Sequence, residues 1–474
     1  MNQPGTSDID PNAPWYKQLN GYHWFVIIVA SAAWFFDCLD QRLFSLARIP
    51  ALSSLMNLPP SAPAVQNFGK EVTAWFLIGW GVGGMIFGAL GDRYGRARML
   101  TVTILIYSTF TGLSFFSRTP IDFTVARFLT GVGVGGVFGL AVALIAETVP
   151  SGARAQSLGL LQILSTIGNI TAGLCKGLID SLENGGTLEK GNGWRWMFLI
   201  GAVPALMVIF TGRKLKEPAS WLALKEQGLL PKGGIFAPYA GLIGDARWRR
   251  NLIIGALIAS TGVVGLWAIG EYAPDLQKSV FTAHYTRELT AAGKLTAETA
   301  LTDAGKAMVK PFVDTAIFWA YLWNMIGAGV GMTIFTRLAG GMGRRGAFFL
   351  GFMATLVITF VVYWKLESPP GAYAMMFMLG AAQLSVFAGF AIYLPELFPS
   401  RLRSTGTSFC YNLGRFAAAA GSFFSATLSQ KVYGHLPVPL PYRYSAMTMC
   451  VIFLVGLVTL IWAPETKGKP LPED

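Results

Sequence analysis

Apolar residues gather into long runs along this chain, separated by short polar or basic stretches. The runs fall at 22–46, 71–91, 99–117, 122–147, 155–178, 195–213, 251–273, 312–336, 346–364, 371–394, 404–428 and 444–463. Most match the roughly 20 residues a helix needs to cross hydrocarbon. Helix is the expected form, because a backbone in lipid must satisfy its own hydrogen bonds. The runs are far longer than the alternating segments of about 10 residues that build a β-barrel. The pattern predicts an all-α membrane protein with 12 spans.

Composition agrees with the pattern. The chain is 53% hydrophobic and 13% charged over 474 residues, about half the charged share of a soluble domain. That excludes an ordinary soluble enzyme, and the high hydrophobicity excludes disorder. The net charge of +12 does not point to nucleic acid, because the basic residues concentrate in alternate loops, as orientation in a membrane requires. These loops hold Arg93, Arg96 and Arg98, then Arg154, then the stretch from Arg213 to Arg250, then Arg344 and Arg345, Arg401 and Arg403, and Lys467 and Lys469. They are read as cytoplasmic. An even span count then places both termini inside a cell (inner) membrane. The polar start, through Asn20, lacks a cleavable signal pattern. Cys38, Cys175, Cys410 and Cys450 are scattered in apolar stretches and read as small buried residues.

The chain divides into an N-terminal tail 1–21, a six-helix bundle 22–213, a linker 214–250, a second six-helix bundle 251–463 and a tail 464–474. The longest outer loop, 275–311, is polar, with room for a short helix and no assigned chemistry. The halves repeat. Glu147-Thr-Val-Pro150 with Arg154 recurs 249 positions later as Glu396-Leu-Phe-Pro399 with Arg403. Gly131 pairs with Gly380 and Phe138 with Phe387 at the same offset. Parallel repeats with a solute site between them describe a secondary transporter.

Gly88-Ala-Leu-Gly-Asp92-Arg93-Tyr-Gly95-Arg96-Ala-Arg98 resembles the loop signature of the major facilitator superfamily. Arg127-Phe-Leu-Thr-Gly131-Val-Gly133 resembles its span 4 motif, and Pro464-Glu465-Thr466-Lys467-Gly468 is similar to the ending of sugar porters. Tyr393 to Pro399, Arg403 and Gly406 resemble the sugar-porter, organic-ion and aromatic-acid symporter branches. The resemblance implies two pseudo-symmetric six-helix bundles. It also implies a gating charge network of Asp92, Arg93, Arg96, Glu147, Arg154, Glu396 and Arg403 on the inner side, made in one state and broken in the other. Gln162 matches a sugar-binding position of sugar porters. Arg415 sits where organic-ion transporters place an arginine. Asp37-Cys-Leu-Asp40 keeps the spacing of the aromatic-acid symporters' paired aspartates. Span 7 lacks the sugar porters' Gln-Gln pair.

Ionisable groups inside a membrane are costly and so mark function. Asp37 and Asp40 share one helix face at i and i+3, and two close carboxylates do not ionise together easily. They are read as proton carriers, Asp37 the deeper, with Arg127 as the tuning partner; the alternative is that Asp40 pairs with Arg42 near the outer interface. Arg415 lies roughly 18 Å into span 11 at 1.5 Å per residue, and its planar fork suits a carboxylate; the alternative is a structural bridge to Glu271 or another acid. Gln162, Asn169, Asn324, Gln383 and Asn412 are hydrogen-bonding groups in apolar helices, and Trp34 and Trp267 are candidate cavity walls. Gly83, Gly84, Gly131 and Gly135 permit close helix approach.

These residues specify a secondary active transporter working by alternating access: proton-coupled symport of an organic anion, such as an aromatic, carboxylic or sugar acid. The alternative is a neutral sugar or polyol, moved with protons or by facilitation; a non-transporting sensor fits less well, because the gating set is intact and a sensor is expected to carry a soluble signalling extension. An enzyme is excluded, because His23, His284 and His435 are far apart and no catalytic or metal set exists. The expected partners are a small-molecule substrate, protons and the lipid bilayer, with no cofactor, no metal and no nucleic acid; the chain is expected to be a monomer.

Overall fold

The computed structural model describes residues 14–473 except 61, 212, 213, 271, 297, 300 and 301. The tail 1–21 and Glu271 therefore lie partly or wholly outside the described residues. Among the described residues the chain is helical, with no strand. The first half carries α1 (Gly21–Met56), α2 (Pro63–Tyr94), α3 (Arg96–Ser114), α4 (Pro120–Thr148), α5 (Ser151–Asn184), α6 (Gly193–Gly201) and α7 (Pro204–Thr211). Two short helices follow, α8 (Ala219–Glu226) and α9 (Ala237–Gly244). The second half carries α10 (Ala246–Val264), α11 (Tyr272–Ala291), α12 (Asp303–Gly341), α13 (Arg344–Lys365), α14 (Pro369–Gln383), α15 (Ser385–Glu396), α16 (Arg403–Thr427), α17 (Leu440–Met449) and α18 (Ile452–Thr459).

Among the described residues, every predicted span overlaps helix. Among the described residues, nine helical stretches are long and apolar enough to cross a bilayer. The other three spans have identifiable reasons for falling short. The third begins with Arg96 and Arg98, the sixth breaks before Pro204, and α16 is rich in Ser, Thr, Gly and Asn. A proline lacks the N–H that would continue the preceding helix. The polar loop 275–311, expected to hold at most a short helix, is more helical than that: α11 runs through Ala291, and α12 starts at Asp303. Tyr272, Leu276, Val280, Phe281 and Leu289 are buried on α11.

Local chemistry sets the helix starts. Asn20 accepts from the His23 amide at 2.8 Å. Thr119 and Asp122 cap α4 reciprocally, satisfying amides that have no partner inside the helix. α3 and α13 begin directly after Gly95 (φ 109°) and Gly343 (φ 95°), a backbone region open to glycine. Each start is held by a distant glutamate. Glu217 accepts from the Ala97 and Arg98 amides at 3.1 and 2.9 Å, and Glu465 accepts from Arg344 and Arg345 at 2.9 and 3.0 Å. Burial pushes the Glu217 carboxyl up, against the pull of these amides.

The described chain forms two compact units. One comprises Met1–Ala256, Phe390–Leu413 and Thr466–Asp474; the other comprises Leu257–Gly389 and Gly414–Glu465. In the first, α2 and α4 meet backbone to backbone. A Cβ at Gly79, Gly83, Gly131 or Gly135 would stand 2.0–2.3 Å from a carbonyl oxygen of the facing helix. In the second, Gly327, Gly331 and Gly380 repeat this seam between α12 and α14 at 1.9–2.0 Å.

Candidate functional site

The first unit holds a buried ion pair. Asp37 and Asp40 are both fully buried on α1. Arg127 of α4 places Nη1 3.6 Å from Asp40 Oδ1, and Thr111 of α3 donates to the same oxygen at 2.9 Å. Other guanidinium nitrogens of Arg127 donate to Ser114 Oγ, Thr130 Oγ1 and the Phe110 carbonyl at 2.8–3.3 Å. Its face lies 4.5 Å from the Phe198 ring centroid. Tyr107 of α3 is fully buried. A buried charge pair persists only with such additional hydrogen bonds. Of the two pairings expected for Asp40, the structure places it on Arg127.

A second cluster joins the α2–α3 junction to α4, α8 and the start of α16, also within the first unit. Asp92 Oδ1 lies 3.0 Å from Arg96 Nη2 and accepts from the Ser404 amide at 3.1 Å. Asp92 Oδ2 accepts from the Thr405 amide at 2.8 Å and the Thr405 hydroxyl at 2.6 Å. Glu147 Oε1 accepts from Arg96 at 3.1 Å, Arg403 at 2.7 Å and Ser400 at 3.1 Å. Its Oε2 accepts from Ser220 at 3.0 Å. The Trp221 indole donates to the Asp92 carbonyl at 2.9 Å. Asp92, Arg96 and Arg403 are buried, so these groups depend on one another rather than on water.

Three predicted gating residues stand beside this cluster. Arg93 donates to the Gly233 carbonyl and lies over the Tyr94 ring. Arg154 donates to the Ala146 carbonyl at 3.0 Å. Glu396 accepts from the Thr466 hydroxyl at 2.6 Å.

Between these clusters lies an aromatic group. Phe138 and Tyr411 stack at 3.9 Å, and Trp34 tilts against Phe138 at 5.1 Å. The Trp34 indole donates to the Gln162 side-chain oxygen. All four are buried.

The sugar (and other) transporter family matches residues 62–230 and 307–473 of the chain. The chain belongs to that family. A protein of Haemophilus influenzae named for metabolite transport is 28% identical over 465 residues, 96% of this chain and 99% of that one. The cis,cis-muconate transport protein of Acinetobacter baylyi is 27% identical over 352 residues, 72% of this chain and 74% of its own. Among solved structures, a proton:xylose symporter of the major facilitator superfamily matches with a TM-score of 0.68 at 19% identity, covering 95% of this chain and 98% of its own. The chain is thus a multi-pass membrane transporter of the major facilitator fold, and not an enzyme.

The remaining candidates of this transporter are spread over both units. Asn169 donates to the Ser165 carbonyl at 3.0 Å, and Asn412 to the Ser408 carbonyl at 2.8 Å. In the second unit, Asn324 bonds the Met376 carbonyl at 3.0 Å and Gln383 bonds Thr359 at 3.2 Å, both links between helices. Trp267 is half-buried in a π-helical turn, Gly265–Ile269, a local form frequent at functional sites. Arg415 is 6% exposed. The sequence reading missed Tyr107, Thr111 and Ser114. They lie at i, i+4 and i+7 on α3, a polar stripe in an apolar helix that periodicity exposes. Glu217, Ser220 and Trp221 also escape it, because the composition of the linker marks only a connector.

Proposed function

We propose that this transporter carries a small organic carboxylate inward with protons by alternating access. The observation that carries the reading is the fully buried Asp37/Asp40 pair on one face of α1, with Arg127 against Asp40. Two carboxylates beside one guanidinium favour holding one proton, and the proton's release is linked to the state of the pair. Arg415 supplies the cation for the solute, through a planar fork that holds a carboxylate by two parallel bonds. The muconate relative supports this substrate class. The bundles 22–213 and 251–463 are the moving parts, and the Asp92, Arg96, Glu147 and Arg403 cluster is the inner gate, cytoplasmic like both termini and the linker.

The neutral-sugar reading rests on Gln162 and the xylose symporter likeness. It is weakened by Trp34, which already occupies the Gln162 carbonyl.

Uptake into proteoliposomes of labelled cis,cis-muconate and of xylose, with and without an inward proton gradient, tests the reading. Muconate is expected to accumulate with the gradient. Asp37→Asn should abolish accumulation and leave exchange. Arg415→Ala should raise KM for muconate about tenfold or more, since a hydrogen bond to a charged group contributes about 1.5–3 kcal/mol. Accumulation of xylose alone would turn the assignment to the sugar.

A further inference from the structure

We propose that the outer ends of α3 and α4 hold one phospholipid whose headgroup carries a phosphate and a primary ammonium, a phosphatidylethanolamine. The phosphate meets Arg118, the ammonium meets Asp122, and part of an acyl chain fills the groove beneath them.

The groove lies within the first unit and has a volume of about 390 Å³. Phe110 and Leu113 of α3 and Val125, Ala126 and Leu129 of α4 line it, with Arg118 and Asp122 at its rim. Counted from Asp122, the α4 residues recur at i, i+3, i+4 and i+7, one face of a helix. That face descends about 10 Å at 1.5 Å per residue, about a third of the hydrocarbon thickness. The small side chain of Ala126 makes the dent, and Leu113 and Val125 stand exposed on either side of it. Phe116 and Ile121 beside the groove are 67% and 68% exposed, as side chains that face lipid are. Trp196 stands edge-on to Phe115 at 5.6 Å, and tryptophan gathers where hydrocarbon gives way to headgroups. With the linker cytoplasmic, the turn that joins α3 to α4 faces outward.

The rim carries two opposite charges that do not meet. Arg118 and Asp122 are four residues apart and exposed, yet no ion pair joins them among the described residues. Asp122 Oδ2 instead accepts from the Arg118 and Thr119 amides at 3.3 and 3.0 Å. This fixes the carboxylate at the rim and leaves Oδ1 without a hydrogen bond among the described residues. It also takes up the amides of the turn, so a phosphate is left the Arg118 guanidinium, whose planar fork suits two of its oxygens. Arg195, the neighbouring cation, is engaged by the Phe115 carbonyl and the Trp194 ring. A lone anion here would face Asp122, and a lone cation would face Arg118; a zwitterion satisfies both. Arg127, next to Ala126, is buried and donates to the Phe110 carbonyl at 3.3 Å. The groove therefore shares its two wall segments with the support of the Asp40–Arg127 pair.

Native mass spectrometry of the delipidated protein in detergent reads the site. The titrants are phosphatidylethanolamine, phosphatidylcholine and phosphatidylglycerol with matched chains. One phosphatidylethanolamine should bind at least tenfold more tightly than either of the others, because the choline cation has no N–H for Asp122 and the glycerol headgroup has no cation. Arg118→Gln and Asp122→Asn should each weaken it about tenfold or more, the share of a bond to a charged group. Val125→Trp, at an exposed position, should fill the groove and do the same. Lys278→Gln, which removes an exposed cation on α11, should leave binding unchanged. Equal binding of the three lipids overturns the proposal, as does a preference for phosphatidylglycerol. Phosphatidylethanolamine binding that all three groove variants leave intact overturns it as well. The readout involves no transport, so its failure leaves the transport reading standing.

Discussion

At the residue scale, the Asp40–Arg127 pair shows how the membrane interior makes hydroxyls matter. Taking a carboxylate and a guanidinium out of water is repaid only when the remaining donors and acceptors are also met. Thr111, Ser114 and Thr130 supply that, each from a position where valine or alanine would pack equally well. Thr111→Val is nearly isosteric, so its effect reports the hydrogen bond to Asp40. It should lower stability by about 1.5–3 kcal/mol, the range for bonds to charged groups, as measured by thermal unfolding in detergent. No change would mean that Asp40 does not depend on Thr111 for its charge. The ion pair was legible in the sequence because Asp37, Asp40 and Arg127 are charges in apolar runs. Thr111 and Ser114 were not, because hydroxyls in such helices usually satisfy themselves on their own backbone, as Ser114 also does at 3.0 Å to Phe110. Their spacing marks a polar face of α3, and only the facing charge tells what that face does.

At the element scale, hydrophobic runs found the spans but not what holds their ends. α11 has no sustained apolar face, which is why its sequence reads as a polar loop with room for only a short helix, although Tyr272, Leu276, Val280, Phe281 and Leu289 are buried. Hydropathy also passes over the linker, whose short helices bond Glu147 of α4 through Ser220, the Asp92 carbonyl at the end of α2 through Trp221, and the Met85 carbonyl of α2 through Tyr239. The two glutamate caps illustrate the limit. Glu465 stands in a recognisable tail, whereas Glu217 stands in Lys216-Glu217-Pro218, and nothing local says that it reaches the start of α3. In the structure they perform the same task 248 positions apart, each on a helix that begins after a left-handed glycine. A side-chain cap is worth about 0.5–2 kcal/mol. Glu217→Ala and Glu465→Ala should each cost about that much. Because the two share no partner, the double variant should show the sum, read as a shift in thermal midpoint. A loss well below the sum would mean that the caps are coupled.

At the scale of the whole molecule, one carboxylate ties together segments far apart in sequence. Glu147 receives Arg96, Arg403, Ser400 and Ser220, so the end of α4, the start of α3, the approach to α16 and the linker all close on it. Glu147→Gln leaves two buried guanidinium groups without their shared counter-ion. Breaking a buried pair in this way costs about 3–5 kcal/mol, and 1.4 kcal/mol is a factor of ten in an equilibrium constant. The closed arrangement should therefore lose at least a hundredfold in population against one in which these groups meet water. The first amides of α16 can report this directly. The opening amides of a helix have no partner inside it, and those of Ser404 and Thr405 are covered by Asp92. Hydrogen exchange of the peptide around residues 400–410 should be slow in the unaltered protein and at least tenfold faster in Glu147→Gln, while α2 and α4 along their glycine seam stay protected. Unchanged exchange at 400–410 would mean that Asp92 holds α16 without help from Glu147, and that the cluster is a set of separate contacts. Faster exchange confined to that peptide would mean that a single carboxylate on α4 sets whether the start of α16 stays closed.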